Sequence, residues 1–258
     1  MFATGVERHQ LNHAPCAAAA WLSLLCLLLL CMAPRCVGAD AWGGSLDLTS
    51  DYFVRGISRS DDHAALQLDL HYLNASGFVA DFFASNSQID PDAKRDAELS
   101  AFLGYVWPGN GDWHGKLLAG SYTYPWNQAG SQYNYDEIDF EVAYRDWLHL
   151  VLSYSPDTQR YTQSYYHDRS LVRVGATSAE LDFQRSVTGK LSATAGVGYY
   201  RLDGSEASGY AYWSVGAAYD LTPVSLAVSY IGATKEANTL FYNAAVGGRW
   251  SGTVIWRF

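Results

Sequence analysis

Cysteine is missing from residue 37 onward. The four cysteines, Cys16, Cys26, Cys31 and Cys36, all precede that point. Neither a disulfide framework nor a thiolate metal site can form in the rest of the chain. Basic residues are also few, with 17 Lys+Arg against 26 Asp+Glu. That balance argues against a nucleic-acid partner, which calls for clustered Lys and Arg. Past residue 32 no apolar run approaches the roughly 20 residues of a membrane-spanning helix. Helical periodicity is poor as well.

The N-terminus has a different character. "AAAAWLSLLCLLLLCM", residues 17–32, is an uncharged apolar run preceded by Arg8 and followed by small residues at Val37 and Ala39. This is the three-part pattern of a secretory signal, with cleavage expected after Ala39. No cysteine follows a lipobox, so a lipid anchor is not expected. Residues 1–39 are therefore expected to be a signal peptide and 40–258 the mature domain. Losing Glu7, Arg8 and Arg35 with the signal leaves 15 Lys+Arg against 25 Asp+Glu.

The mature part alternates. In "EIDFEVAY", residues 137–144, Glu137, Asp139 and Glu141 share one side of a strand, and Ile138, Phe140, Val142 and Tyr144 the other. Three unpaired carboxylates cannot line a dry core. Comparable period-two segments occupy 45–54, 65–73, 77–85, 97–107, 113–124, 136–145, 148–155, 178–187, 190–201, 210–221, 224–233 and 248–258. Their links alternate in length. "NAS", "PGNGD", "DW", "TG" and "TP" are short, whereas 55–64, 86–96, 125–135, 156–177, 202–209 and 234–247 are long and polar. A meander with every tight turn at one end gives this pattern, and Greek-key sandwiches break it.

The expected fold is all-β: an antiparallel up-and-down transmembrane β-barrel of about 12 strands, wet inside and apolar outside. Ten or fourteen strands stay open, because 156–177 is long enough to hide a hairpin. A soluble calyx does not account for outward "LxLxLxY" with charges facing in. Tyr72, Phe78, Trp107, Trp113, Trp147, Tyr219 and Phe258 are expected in an aromatic girdle at the short-turn end, and Tyr52, Tyr124, Tyr154, Tyr199 and Tyr230 in one at the other end. The closing "TVIWRF" places Trp256 and Phe258 as a terminal-strand signal for the barrel assembly machinery, although Thr253 stands where Gly is common.

"LTSDYFVRGISRSDDHAALQLDL", residues 48–70, resembles the opening signature of the TorF family of proteobacterial outer-membrane proteins, an S-D-Y-x-x-R-G-x-S stretch followed by an A-x-Q strand. "SAELDFQRSV" and "AGVGYY" resemble later parts of that pattern. The resemblance implies an outer-membrane barrel and a pore, with no particular substrate.

On this reading the pore-lining residues are Asp47, Asp51, Arg55, Asp69, Asp81, Glu98, Glu137, Asp139, Glu141, Arg145, Glu180, Asp182 and Arg249, with Lys116 and Arg257 also inward. A net acidic lumen favours cations. The expected function is passive diffusion of small solutes, leaning towards cations, in the bacterial outer membrane among lipid and lipopolysaccharide. The alternative is a plugged barrel serving as a receptor, adhesin or scaffold through its loops. Asp51 and Arg55 are expected to pair where strand one ends at Gly56. Asp90, Asp92 and Asp96 lack calcium-loop spacing because Lys94 interrupts them. No catalysis is expected: His71, His114 and His149 avoid the lipid face where a Ser–His pair would have to sit, and His63 and His167 lie in loops. No cofactor or metal is expected.

Overall fold

The computed structural model describes residues 40–89, 96–107, 111–127, 130–145, 147–163, 169–204, 209–241 and 243–258. The expected signal segment, Asp90, Asp92 and His167 lie outside these. Twelve strands close into a barrel: β1 (Ala41–Thr49), β4 (Ala65–Leu73), β5 (Phe78–Ser87), β6 (Asp96–Trp107), β7 (Trp113–Thr123), β8 (Tyr135–Tyr144), β9 (Leu148–Gln163), β10 (Arg169–Thr188), β11 (Leu191–Leu202), β12 (Gly209–Asp220), β13 (Val224–Ala233) and β14 (Arg249–Arg257). Each pairs antiparallel with its neighbours, and β14 closes on β1. Two further strands, β2 (Phe53–Val54) and β3 (Ile57–Ser58), form a hairpin of their own.

The burial pattern is inside out. Leu48 is 54% exposed, Leu103 69% and Val197 54%, while Glu98 is 1% and Glu137 3%. Paired residues on adjacent strands share a face, so the alternation propagates around the ring. Asp47, Gln67, Ser85 and Glu98 follow one another across four strands and point inward. Leu46 and Leu68 pair on the outer face. Exposed Leu and Val on that scale would be an aggregation hazard in water. In acyl chains each is favourable, and the closed ring leaves no unpaired backbone edge. Among the described residues no helix is long and apolar enough to cross a membrane.

The ends are finished by local chemistry. Between β4 and β5, Asn74 Oδ1 accepts from the Ser76 and Phe78 amides, both at 2.9 Å, and Gly77 takes a left-handed φ of 95°. Aromatic rings gather at the short-turn end, with Trp42–Tyr72 centroids 4.6 Å apart and Trp113–Tyr144 4.8 Å apart. Trp213, Tyr230 and Trp250 form a second group at the long-loop end, at 5.4 and 5.0 Å.

Three expectations need correction. Strand one does not run to Val54: it ends at Thr49, and the chain then turns into the lumen as the β2–β3 hairpin. Tyr52 and Tyr124 are not girdle residues, because both hydroxyls reach inward to Glu98. Most of 156–177 is strand rather than loop, since β9 and β10 continue past their neighbours as a paired hairpin. A bulge between Val174 and Ala176, opposite Thr158 and Ser155, shifts the phase of alternation there. That shift hides the continuation in the sequence, and the hairpin adds no strand to the ring.

Candidate functional site

The inner surface divides into a roomy half near the short turns and a filled half near the long loops. In the roomy half a cavity of 410 Å³ is lined by Glu141, His149, Asp182, Gln184, Thr194 and Ser214. The Lys116 ammonium lies 2.9 Å from Glu141 Oε2, and His149 Nδ1 2.7 Å from Glu141 Oε1. His71 Nδ1 meets Asp69 Oδ1 at 3.1 Å. The Tyr212 hydroxyl donates to Glu180 Oε2 at 2.8 Å. Asp47 Oδ1 and Asp139 Oδ1 are buried and accept no hydrogen bond from the described residues. An uncompensated carboxylate oxygen is costly away from water or a cation, so each is a point on the inner face that water or a passing cation would satisfy.

One stretch of the inner wall is apolar. Val79, Phe102 and Leu118 pack together, with Val106 and Tyr122 against them. Phe102 meets Tyr122 edge to face at 5.4 Å.

The filled half is built by the first long loop. Asp51 Oδ1 accepts hydroxyl bonds from Ser58 at 2.6 Å and Ser60 at 2.9 Å, which draws the loop into a tight hairpin. Burial pushes the Asp51 carboxyl up, and those two hydroxyls partly offset the rise. Arg55 takes a left-handed φ of 52° beside Gly56 at 75°, so the turn points into the lumen. Its guanidinium donates to both oxygens of Glu137, at 2.9 Å each. Burial works against the Arg55 charge, but Glu137 outweighs it and holds the guanidinium above its ordinary pKa. Arg55 also lies over the Tyr200 ring at 5.3 Å, and its carbonyl accepts from the Tyr210 hydroxyl at 3.0 Å. Glu98 accepts from Tyr52 at 2.8 Å and Tyr124 at 2.7 Å.

The last long loop completes the stopper. It carries the one-turn helix α1 (Ala237–Leu240). The Ala245 amide donates to the Gly56 carbonyl at 2.9 Å, and the Ser58 amide to the Asn243 carbonyl at 3.2 Å. Ile57, Tyr200, Tyr210, Tyr212, Ala233 and Ala244 form one apolar cluster around the hairpin. A cavity of 40 Å³ remains beside Arg55 and Arg59.

Residues 38–257 match the family described as "Bacterial protein of unknown function (Gcw_chp)". The chain belongs to this family. No curated protein matches it. The Gcw_chp chain is similar in fold to a solved NanC porin, at 10% identity and a TM-score of 0.53, with 83% of this chain and 98% of that one covered. It is similar to the structure described as "KdgM porin in complex with disordered oligogalacturonate", at 10% identity, a TM-score of 0.50, and 85% and 99% coverage. A second KdgM porin structure gives 12% identity, a TM-score of 0.50, and 84% and 99% coverage. At these identities the likeness is one of fold: a porin-like closed barrel.

Within the Gcw_chp barrel the expected lumen residues separate into groups. Asp47, Asp69, Asp81, Asp139, Glu141, Glu180 and Asp182 lie on the inner faces of their strands. Glu98 and Glu137 are also inward, but the stopper covers them. Asp51 and Arg55 sit on the inserted loop and do not pair with one another, because Ser58 and Ser60 take the carboxylate and Glu137 takes the guanidinium. Arg145 is not on the wall: it occupies the turn before β9 at φ 50°, exposed, and meets Asp112 at 2.7 Å. Arg249 stands at the rim, paired with Asp62 of the first loop. The Lys116 and Arg257 cations both face in, Arg257 Nη1 donating to Ser225 Oγ at 2.6 Å. Trp256 and Phe258 face out, and the Phe258 backbone exchanges two bonds of 3.1 Å with Gly44.

Sequence reasoning missed Arg59, Tyr200, Tyr210, Tyr212, Phe102 and Leu118. The tyrosines stood on the inward parity of "AGVGYY" and "YAYW", where an open pore has little use for rings. That excess was the available signal for a filled mouth.

Proposed function

We propose that this Gcw_chp protein is an outer-membrane channel for passive diffusion of small solutes, leaning towards cations. The observation that carries the reading is the acidic inner face: Glu141 and Asp182 line the 410 Å³ cavity, and elsewhere on that face the buried oxygens Asp47 Oδ1 and Asp139 Oδ1 have no hydrogen-bond partner among the described residues. Such a wall lowers the energy of a cation and raises that of an anion. The porin-like fold supports the localisation, with short turns on the periplasmic side and loops outside, among lipid and lipopolysaccharide. The S-D-Y-x-x-R-G-x-S stretch supports a place near the TorF group, and the outward Trp256 and Phe258 support recognition by the barrel assembly machinery. A polyanion such as the oligogalacturonate named with KdgM suits this acidic wall poorly.

The test is a planar bilayer with a salt gradient. Stepwise conductance with a reversal potential on the cation side is expected. A reversal potential on the anion side refutes the preference, and silence under every opening condition refutes the channel.

A second reading is favoured by the filled mouth: a barrel with no open path, displaying loops as a receptor or scaffold. Ligand or cell binding that survives in a non-conducting protein, and is lost on trimming the long loops, supports it.

A further inference from the structure

We infer that the β2–β3 hairpin is a gate, and that the Arg55–Glu137 pair is its latch. This rests on the channel reading above and adds regulation to it.

The hairpin is not part of the wall. Among the described residues it is a separate two-stranded sheet with no ladder to any barrel strand. Its backbone bonds beyond itself reach Gln88, Asn243 and Ala245, all in links between strands. Its attachments to the strands run through side chains: Arg55 to Glu137, the Tyr52 hydroxyl to Glu98, the Tyr210 hydroxyl to the Arg55 carbonyl and the Ser251 hydroxyl to the Asp51 carbonyl. A permanent plug is expected to be held by apolar packing. This one presents Arg55, Gly56, Ser58, Arg59 and Ser60, with Ile57 as its buried apolar anchor.

The energetics favour two states. Closed, a buried cation and a buried carboxylate satisfy one another. Open, both groups are hydrated, Glu137 by the water that fills the freed lumen. Exchanging a desolvated ion pair for two hydrated ions is close to balanced, because desolvation offsets most of the Coulomb attraction. The backbone also holds strain in this loop: Arg55, Asp61 and Asp62 all have left-handed φ values, 52°, 52° and 60°. Such strain in non-glycine residues gathers at switch segments. Behind the hairpin the 410 Å³ cavity already provides the inner part of a path.

The experiment records single channels from the wild type, Arg55→Gln, Glu137→Gln, and a variant whose residues 51–60 are replaced by a short Gly-Ser link. Barrel folding is checked by heat-modifiable gel migration. The two latch variants change lumen charge in opposite senses, so a shared effect reports the latch. Each is expected to raise open probability about tenfold or more. Steady conductance in the wild type, unchanged by the latch variants and by loop replacement, overturns the gate and leaves the channel standing. A loop-shortened barrel that folds, inserts and passes no ions overturns the channel itself.

Discussion

Arg55 and Glu137 stand 82 residues apart in the chain and meet fork to fork, with both hydrogen bonds at 2.9 Å. The pair joins an inserted loop to the barrel wall across the mouth of the lumen. Its Glu137 side chain is 4% exposed. A pair this deep matters chiefly through what happens when it is broken, since either partner alone would be a buried, uncompensated charge.

The acidic wall predicts an order of effects on selectivity. Among the described residues Asp139 Oδ1 has no hydrogen-bond partner, whereas Glu141 shares its charge with Lys116 and His149. In an opened channel, Asp139→Asn should lower the cation-to-anion permeability ratio by about twofold or more, and Glu141→Gln by less. Reversal potentials at pH 8 read both. Equal effects, or a larger one at Glu141, would contradict the charge map.

The two faces of a strand should tolerate charge very differently. Leu103 is 69% exposed on the outer face, and Thr194 lines the inner cavity. Leu103→Lys should cost about 2 kcal/mol or more, as charged side chains in the apolar band do. Thr194→Lys should cost less than about 1 kcal/mol, since it enters a wet and acidic space. Urea unfolding in lipid vesicles measures both. Similar costs at the two sites would place the membrane wrongly.

Glu98 provides a stability test inside the stopper. It is 1% exposed and accepts hydroxyl bonds from Tyr52 and Tyr124. Tyr124→Phe leaves Oε2 without that donor and should destabilise the barrel by about 1–3 kcal/mol. Denaturation midpoints compared with wild type decide it, and no change would mean that water replaces the hydroxyl freely.

Asp40 offers a pH test at the short-turn end. Its carboxylate accepts from the Ala75 amide at 3.0 Å and the Tyr72 hydroxyl at 2.9 Å. Those bonds hold its pKa below the ordinary 3.8. A depressed carboxyl stabilises the fold above its unfolded pKa and loses that contribution as pH falls through the folded value. The stability gap between wild type and Asp40→Asn should therefore narrow below about pH 4. A gap that stays constant from pH 6 to pH 3 rules the linkage out.

Much of the barrel was legible in period-two patterning. Leu46, Leu48, Leu66 and Leu68 against Asp47 and Asp69 require two different environments on the two sides of a strand, and short and long links in strict alternation require a meander. These are local facts, set by the pleat and by turn chemistry such as that of Asn74. The limits of β9 and β10 were not legible, because the bulge at Val174/Ala176 breaks the phase on which the reading depends.

The sequence by itself determined which side chains share a face, because alternation along a strand is a property of neighbouring residues. It also determined that one of those faces must be wet. Only the tertiary structure decided that Arg55 answers Glu137 rather than nearby Asp51, and that Tyr200, Tyr210 and Tyr212 fill the mouth. Those partners are brought together by closure of the ring and by a loop folding back into it. No local pattern records a contact between residues that only barrel closure makes neighbours.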